Sequence, residues 1–165
     1  ISEAFGWKEI ELSDEVKFQK TSNSEHVEEH TDLTTILRAD GVPNVVLGEF
    51  ENSCLTNTTD LIRRFGEGSW AVRLVYNDRF GGVLIQQQPG EGNRLHYHPD
   101  CDECWVILRG EWEWFIEGEG TKRVSSHDIV LVPKGVKHQI TCVGSEPGIR
   151  FAITGPDVKH AYVDE

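Results

Sequence analysis

Long apolar runs are missing from this 165-residue chain, and nowhere do the ~18 consecutive apolar residues of a membrane-spanning helix occur. Positive charge is scarce as well: 16 Lys and Arg stand against 28 Asp and Glu, a formal charge of −12, with no basic cluster to reverse it locally. That balance argues against a nucleic-acid backbone or an anionic membrane surface as partner and leaves a small-molecule substrate. Cysteine is sparse too. Cys54, Cys101, Cys104 and Cys142 are too few and too irregularly spaced for a disulfide scaffold, so the expectation is a reduced, cytoplasmic protein. The opening "ISEAFGWKEIELSDE" has neither the basic start nor the apolar stretch of a secretory signal. No internal repeat, low-complexity tract or linker divides the chain, whose length suits one domain.

What is present changes character along the chain. The first 69 residues read as an acidic N-terminal extension with short helices, packed on whatever follows. One helix is expected over "LTTILRA", with Asp32 as its N-cap and Asp40-Gly41 as its stop. A second is expected within "TNTTDLIRRFGEG", capped by Asp60 or a nearby threonine and ended by Gly66. From residue 70 to 165, short runs rich in Val, Ile, Trp and Phe alternate with Gly-Gly, Pro-Gly, Gly-Glu-Gly and Pro-Lys-Gly breaks. Such spacing predicts an all-β antiparallel sandwich or barrel.

Within that region, "LHYHPDCDECWVILRG" (residues 95 to 110) concentrates metal-binding side chains. Side chains alternate along a strand, so His96 and His98 share a face and Tyr97 points the other way. Pro99 ends the ladder, and a turn at "PDCD" can return Glu103 beside the two imidazoles. A third imidazole has to come from elsewhere; His138, after the Pro133-Lys134-Gly135 turn, is the candidate. Three imidazoles and a carboxylate suit Fe, Mn, Ni, Cu or Zn and leave room for water or substrate.

These residues resemble the cupin superfamily. Its first motif, G-x5-H-x-H-x3,4-E-x6-G, is matched at Gly90, His96, His98, Glu103 and Gly110. Its second, G-x5-P-x-G-x2-H-x3-N, is matched at Pro133, Gly135 and His138, with His127 in place of the first glycine and Cys142 in place of the asparagine. The resemblance implies a double-stranded β-helix, or jelly-roll barrel, holding one divalent transition metal in its mouth on His96, His98, Glu103 and His138. Iron(II) is the favoured ion, with Mn, Ni or Zn as alternatives. The same stretches are similar in texture to the 3-hydroxyanthranilate dioxygenases, which makes an Fe(II) dioxygenase for a small organic acid the leading functional expectation. Glu103 would then be a fourth ligand or the base for a substrate proton. A metal-assisted isomerase or lyase, and a non-catalytic ligand-binding cupin, are the alternatives. Cupins also often pair through barrel faces, which makes a homodimer compatible with the apolar strand "CWVILRG".

Other side chains enter as substrate candidates or as bystanders. Arg73 and Arg150 are candidates for gripping a carboxylate, and Gln86 and Gln88, which share a strand face, for orienting the substrate if that face is the inner one. Trp112 and Trp114 share a face and are expected in the core. The Cys101–Cys104 pair straddles a turn among acidic residues, not the helix N-terminus that a redox dithiol uses, and is expected to be incidental. "HVEEH", His26 to His30, fits a zinc-peptidase pattern but is polar on every side, and a solvated acidic segment is expected there. His127 is expected in an exposed turn. His160, in the tail "VKHAYVDE", is placed outside the metal set, with the tail either fraying or folding over the barrel.

Overall fold

The computed structural model describes residues 27–163. Twelve strands form two six-stranded sheets, joined by two short helices, among the described residues. One sheet runs β1 (Val27–His30), β12 (His160–Val163), β5 (Gly92–Tyr97), β10 (His138–Val143), β7 (Glu111–Ile116) and β8 (Gly120–Ser125). The other runs β2 (Asn44–Val46), β3 (Trp70–Tyr76), β4 (Gly81–Gln87), β11 (Gly148–Thr154), β6 (Glu103–Arg109) and β9 (Ile129–Val132). All pairings are antiparallel except β2 with β3. The fold is a double-stranded β-helix, all-β as its alternating runs predict.

Alternation decides what each sheet contributes to the interior. On β6, Glu103, Trp105 and Ile107 are buried while Leu108 is exposed; on β7, Trp112, Trp114 and Ile116 are buried. These side chains meet Ala71, Ile85, Ile140 and Ala152 in the main core between the sheets. Trp105 and Trp114 pack edge to face, 5.2 Å between ring centroids. Losing any one of these buried tryptophans should cost ~3–5 kcal/mol. The outer face of β3 and β4 is buried as well, because Trp70, Val72 and Leu84 pack with Leu61 of helix α2 (Thr58–Phe65).

The turns hold this register. Gly110, between β6 and β7, has φ +82°, and a Cβ there would come within 2.7 Å of the Gly148 backbone, so only glycine lets the two strands approach. Helix α1 (Leu33–Ala39) starts at Asp32, whose carboxylate accepts from the amides of Thr34 and Thr35. Helix α2 is capped by Asn57, not by Asp60 or a threonine: Asn57 Oδ1 accepts from Thr59 N at 2.8 Å, while Asp60 lies in the first turn and pairs with Arg63. Gly66 ends α2 as expected, at φ +76°.

The N-terminal part does more than lie against the barrel. β1 pairs with β12 and β2 pairs with β3, so this segment adds an edge strand to each sheet. Of "HVEEH", expected as a solvated acidic segment, Val27–His30 form edge strand β1 with Glu29 exposed and His30 half-buried; His26 lies outside the described residues.

Candidate metal centre

Strand β5 carries His96, and His98 follows its last residue, both with side chains directed inward and buried to 0% and 2% exposure. β10 pairs with β5 in the register His138↔His96, which brings a third imidazole beside them. Glu103 opens β6 after the turn at residues 99–102. The Lys134 amide bonds Asp102, and the Gly135 amide donates to the His98 carbonyl at 2.8 Å, tying the two motif turns together. One donor atom from each of His96, His98, Glu103 and His138 lies within 4.8 Å of the others, so the four could hold a metal ion.

The histidine tautomers are set by the backbone. His96 Nδ1 donates to the Arg94 carbonyl at 2.6 Å, His98 Nδ1 to Lys159 at 2.7 Å, and His138 Nδ1 to Val136 at 3.0 Å. Each ring therefore turns Nε2 toward the others, the arrangement by which backbone acceptors orient metal-binding imidazoles. His96 Nε2 and His138 Nε2 are buried with no hydrogen-bond partner. Buried polar atoms nearly always have partners, and two bare imidazole nitrogens facing a carboxylate fit a cation between them.

Charge in the cluster follows from burial and proximity. Burial opposes a proton on His98, but the Glu103 carboxylate, 2.5 Å from its Nε2, outweighs that and raises the histidine above its ordinary value. Burial likewise pushes Glu103 up, yet the charge and hydrogen bond of His98 and the nearness of His138, 3.5 Å away, hold it well below the usual carboxylate range. A metal ion would take the place of the His98 proton. His96 is pushed well down, first by burial and then by the neighbouring histidines, and stays neutral.

A further histidine lies against this group. His160, on β12, stacks on His96 with 4.9 Å between ring centroids and stands edge-on to His98 at 4.5 Å. The C-terminal segment folds over the barrel as its last strand. No local motif announces this residue; the available signal was the His160-Ala-Tyr162 alternation, which puts an imidazole and a phenol on one strand face.

The substrate candidates are placed apart from the histidine cluster. Gln86 shares its strand face with Leu84, toward α2, and donates to the Gly66 and Gly68 carbonyls at 3.0 and 2.7 Å. Gln88 bonds the Glu67 carbonyl nearby. The inner-face condition therefore fails for both, and Gln87, between them, is the glutamine that points inward. Arg150 is inside the barrel but fully enclosed: its terminal nitrogens bond Gln87 and Asn93, and its guanidinium lies 4.6 Å above the Trp112 ring. Arg73 lines a separate pocket of about 200 Å³ with Leu33, Leu47, Val83, Thr154, Val158, Asp32 and Asp157, and is held by Glu51 at 2.7 Å. β11 pairs Ile153 with Cys104, so Thr154 is carried to the end of β6 where Glu103 starts.

The remaining expectations resolve simply. All four cysteines are free, and burial pushes the thiols of Cys101 and Cys104 up, away from the reactive range. His127 is exposed, at φ +81°, a left-handed backbone that explains why the cupin motif has glycine there. No helix among the described residues is long and apolar enough to cross a membrane.

Comparison with known proteins agrees with this geometry. Residues 83–154 match the family model described as "Cupin domain". The uncharacterized protein YdbB of Bacillus subtilis (strain 168) is 36% identical over 44 residues, which are 27% of this chain and 39% of that protein. A double-stranded β-helix protein from Klebsiella pneumoniae subsp. pneumoniae MGH 78578 superposes with a TM-score of 0.59 at 19% identity, over 69% of this chain and 94% of its own. An RmlC-like cupin family protein from Methanocaldococcus jannaschii gives 0.51 at 23% identity, over 57% and 85%. Both motifs, the two-sheet barrel and the buried His/His/Glu/His group agree with that match, and residues 83–154 form a cupin domain.

Proposed function

We propose that this protein is a metal-dependent cupin enzyme, an iron(II) dioxygenase acting on a small organic acid. The observation that carries the metal reading is the pair of bare, buried nitrogens, His96 Nε2 and His138 Nε2, beside a carboxylate held ionised. His96, His98 and His138 would hold the ion, with Glu103 as a fourth donor. Bound there, iron would supply an open coordination position and one-electron chemistry toward O2.

The chain's own residues do the rest. Three backbone carbonyls keep the imidazole rings from turning, so the site is organised before anything enters it. Near-complete burial keeps bulk water off the reacting groups. Left off the ion, the Glu103 carboxylate would instead be the base within the site for a substrate proton. Arg73, paired with Glu51 in its own pocket, stays a candidate for gripping a substrate carboxylate and would have to exchange Glu51 for it.

The test is elemental analysis of protein purified without a nickel column, with His96→Ala as control, followed by oxygen uptake with aromatic and aliphatic acids. Near-stoichiometric iron that the variant lacks, and oxygen consumed in step with substrate, are expected. Turnover without oxygen on Mn, Ni or Zn would replace the dioxygenase with an isomerase or lyase. Thermal stabilisation by an acid with no turnover would leave a ligand-binding cupin. Absence of metal in both proteins would sink the metal reading itself.

A further inference from the structure

His160 is the one titratable side chain of the cluster that neither cupin motif supplies. It lies outside residues 83–154, on a strand that reaches the site only because β12 pairs with β5 in the register Tyr162↔His96. Three observations bear on its role. First, it is close to the metal candidates without being one of them. Its ring centroid is 4.5 Å from that of His98, a separation like those among the three motif histidines, yet its nitrogens do not join the donors that lie within 4.8 Å of one another. Second, its Nδ1 is buried with no hydrogen-bond partner, whereas each motif histidine anchors Nδ1 on a backbone carbonyl. The motif rings are turned by the backbone toward a common centre, and His160 is not. Third, His160 is itself buried, at 6% exposure, so its bare nitrogen faces the interior around the cluster and not bulk water.

A nitrogen too far out to close round the same small ion, but adjacent to it and bare, suits a hydrogen bond to a molecule that the ion itself binds. We infer that His160 is the side chain that contacts the exogenous ligand at the metal centre, with its imidazole N–H donating to an anionic oxygen or nitrogen of that ligand. The carboxylate of an organic acid is the chemical class it fits. A neutral imidazole carries one N–H, and one such donor recognises an anion without adding a full positive charge beside the cation. The inference rests on the metal reading above and adds to it the residue that selects the ligand.

The experiment uses cobalt(II)-loaded protein, whose visible absorption reports the ion's surroundings, titrated with azide and separately with acetate. Wild type is compared with His160→Ala, His160→Phe, which fills the space without a donor, and His160→Gln, which restores one. Expected are unchanged cobalt stoichiometry and an unchanged spectrum before anion is added. Anion affinity should fall about tenfold in the Ala and Phe variants and recover to within about threefold of wild type in Gln. Equal anion affinity in all four proteins would overturn the inference. So would a cobalt spectrum altered before anion is added, because His160 would then be a fifth ligand. A wild type that binds no cobalt would overturn this inference together with the metal reading, whereas the other outcomes leave that reading standing.

Discussion

Two polar clusters are buried in this barrel, and they are completed to different degrees. Around Arg150, charge and amide groups nearly satisfy one another. Its Nη1 and Nη2 each donate at 2.5 Å, to Gln87 and Asn93, and Gln87 in turn donates to the carbonyls of Asp40 and Gly92 at 3.2 Å. One atom, Arg150 Nε, is left without a partner, and the guanidinium lies over the Trp112 face. In the histidine cluster, by contrast, His96 Nε2, His138 Nε2 and His160 Nδ1 are all bare. A satisfied buried network ties strands together and has no capacity for a ligand. An incomplete one is costly unless something else completes it. The Arg150 cluster is therefore read as framework, and the histidine cluster as a site.

The sharpest way to break that contrast is to remove one member of each. His138→Ala should lose metal altogether, measured as metal per protein after purification, while the fold persists because a small buried ring is traded for a methyl. Undiminished stoichiometric metal would refute the ligand assignment. Arg150→Met should do the reverse. It strands the side-chain oxygens of Gln87 and Asn93 and should destabilise the protein by ~3 kcal/mol in denaturant melts. Metal content per folded molecule should not change. A variant of Arg150 that keeps its stability but loses metal would make the two clusters one unit.

Acid should separate them next. His96 and His160 are held below the ordinary histidine value of 6.5, so between that value and their folded ones the unfolded chain binds protons that the folded chain does not. Their contribution to stability is complete above about pH 6.5 and is lost as pH falls. Glu103, held well below 4.5, adds to the loss at lower pH. His98 and Asp40 are raised and work in the opposite direction. A comparison of variants isolates the lowered histidine: relative to wild type, metal-free His160→Gln should melt higher near pH 5 than it does near pH 7. The same difference between the two proteins at both pH values would count against a neutral, buried His160. Metal uptake at neutral pH should also release protons, since the ion displaces the one on His98 Nε2.

How far all this was legible in the sequence depended on sequence distance and on what covers each face. His96, His98 and Glu103 lie within one hairpin, where alternation and a proline-led turn determine facing. His138 needed only the register of β10 on β5. His160 was out of reach, because its place depends on pairing β12 with a strand more than sixty residues earlier, and short tails give no register signal. Gln86 and Gln88 were proposed for the site on the condition that they faced inward. "VLIQQQ" is buried on both faces, by the core within and by α2 without, so alternation could not tell which face was the inner one. The same argument covers β1, whose acidic residues gave no apolar period and which becomes a strand because β12 offers it an open edge.

The smallest expected effect tests the residue that touches both clusters. Asp40, at the end of α1, gives its backbone carbonyl to Gln87 in the Arg150 network. Its carboxylate accepts from the Arg94 amide and the Tyr162 hydroxyl, both at 3.2 Å, and the Tyr162 ring lies 5.8 Å from His96. Burial raises Asp40 from 3.8 to about 6 despite those hydrogen bonds, so its ionised form is disfavoured in the folded protein. Between those two values the folded chain holds a proton that the unfolded chain has lost. Stability therefore declines as pH rises across that window and stays lower above it. Asp40→Asn removes the charge and keeps an acceptor oxygen. It should gain ~1 kcal/mol over wild type near pH 7 and show no gain near pH 4, less than the full linkage of the shift because one of the two acceptor bonds is weakened. Urea melts at the two pH values measure the difference. A loss of stability at both would mean that the carboxylate's geometry outweighs its charge. A loss of metal as well would mean that the framework cluster holds the histidines in place through Tyr162, and the division between framework and site would have to be redrawn with Asp40 inside the site.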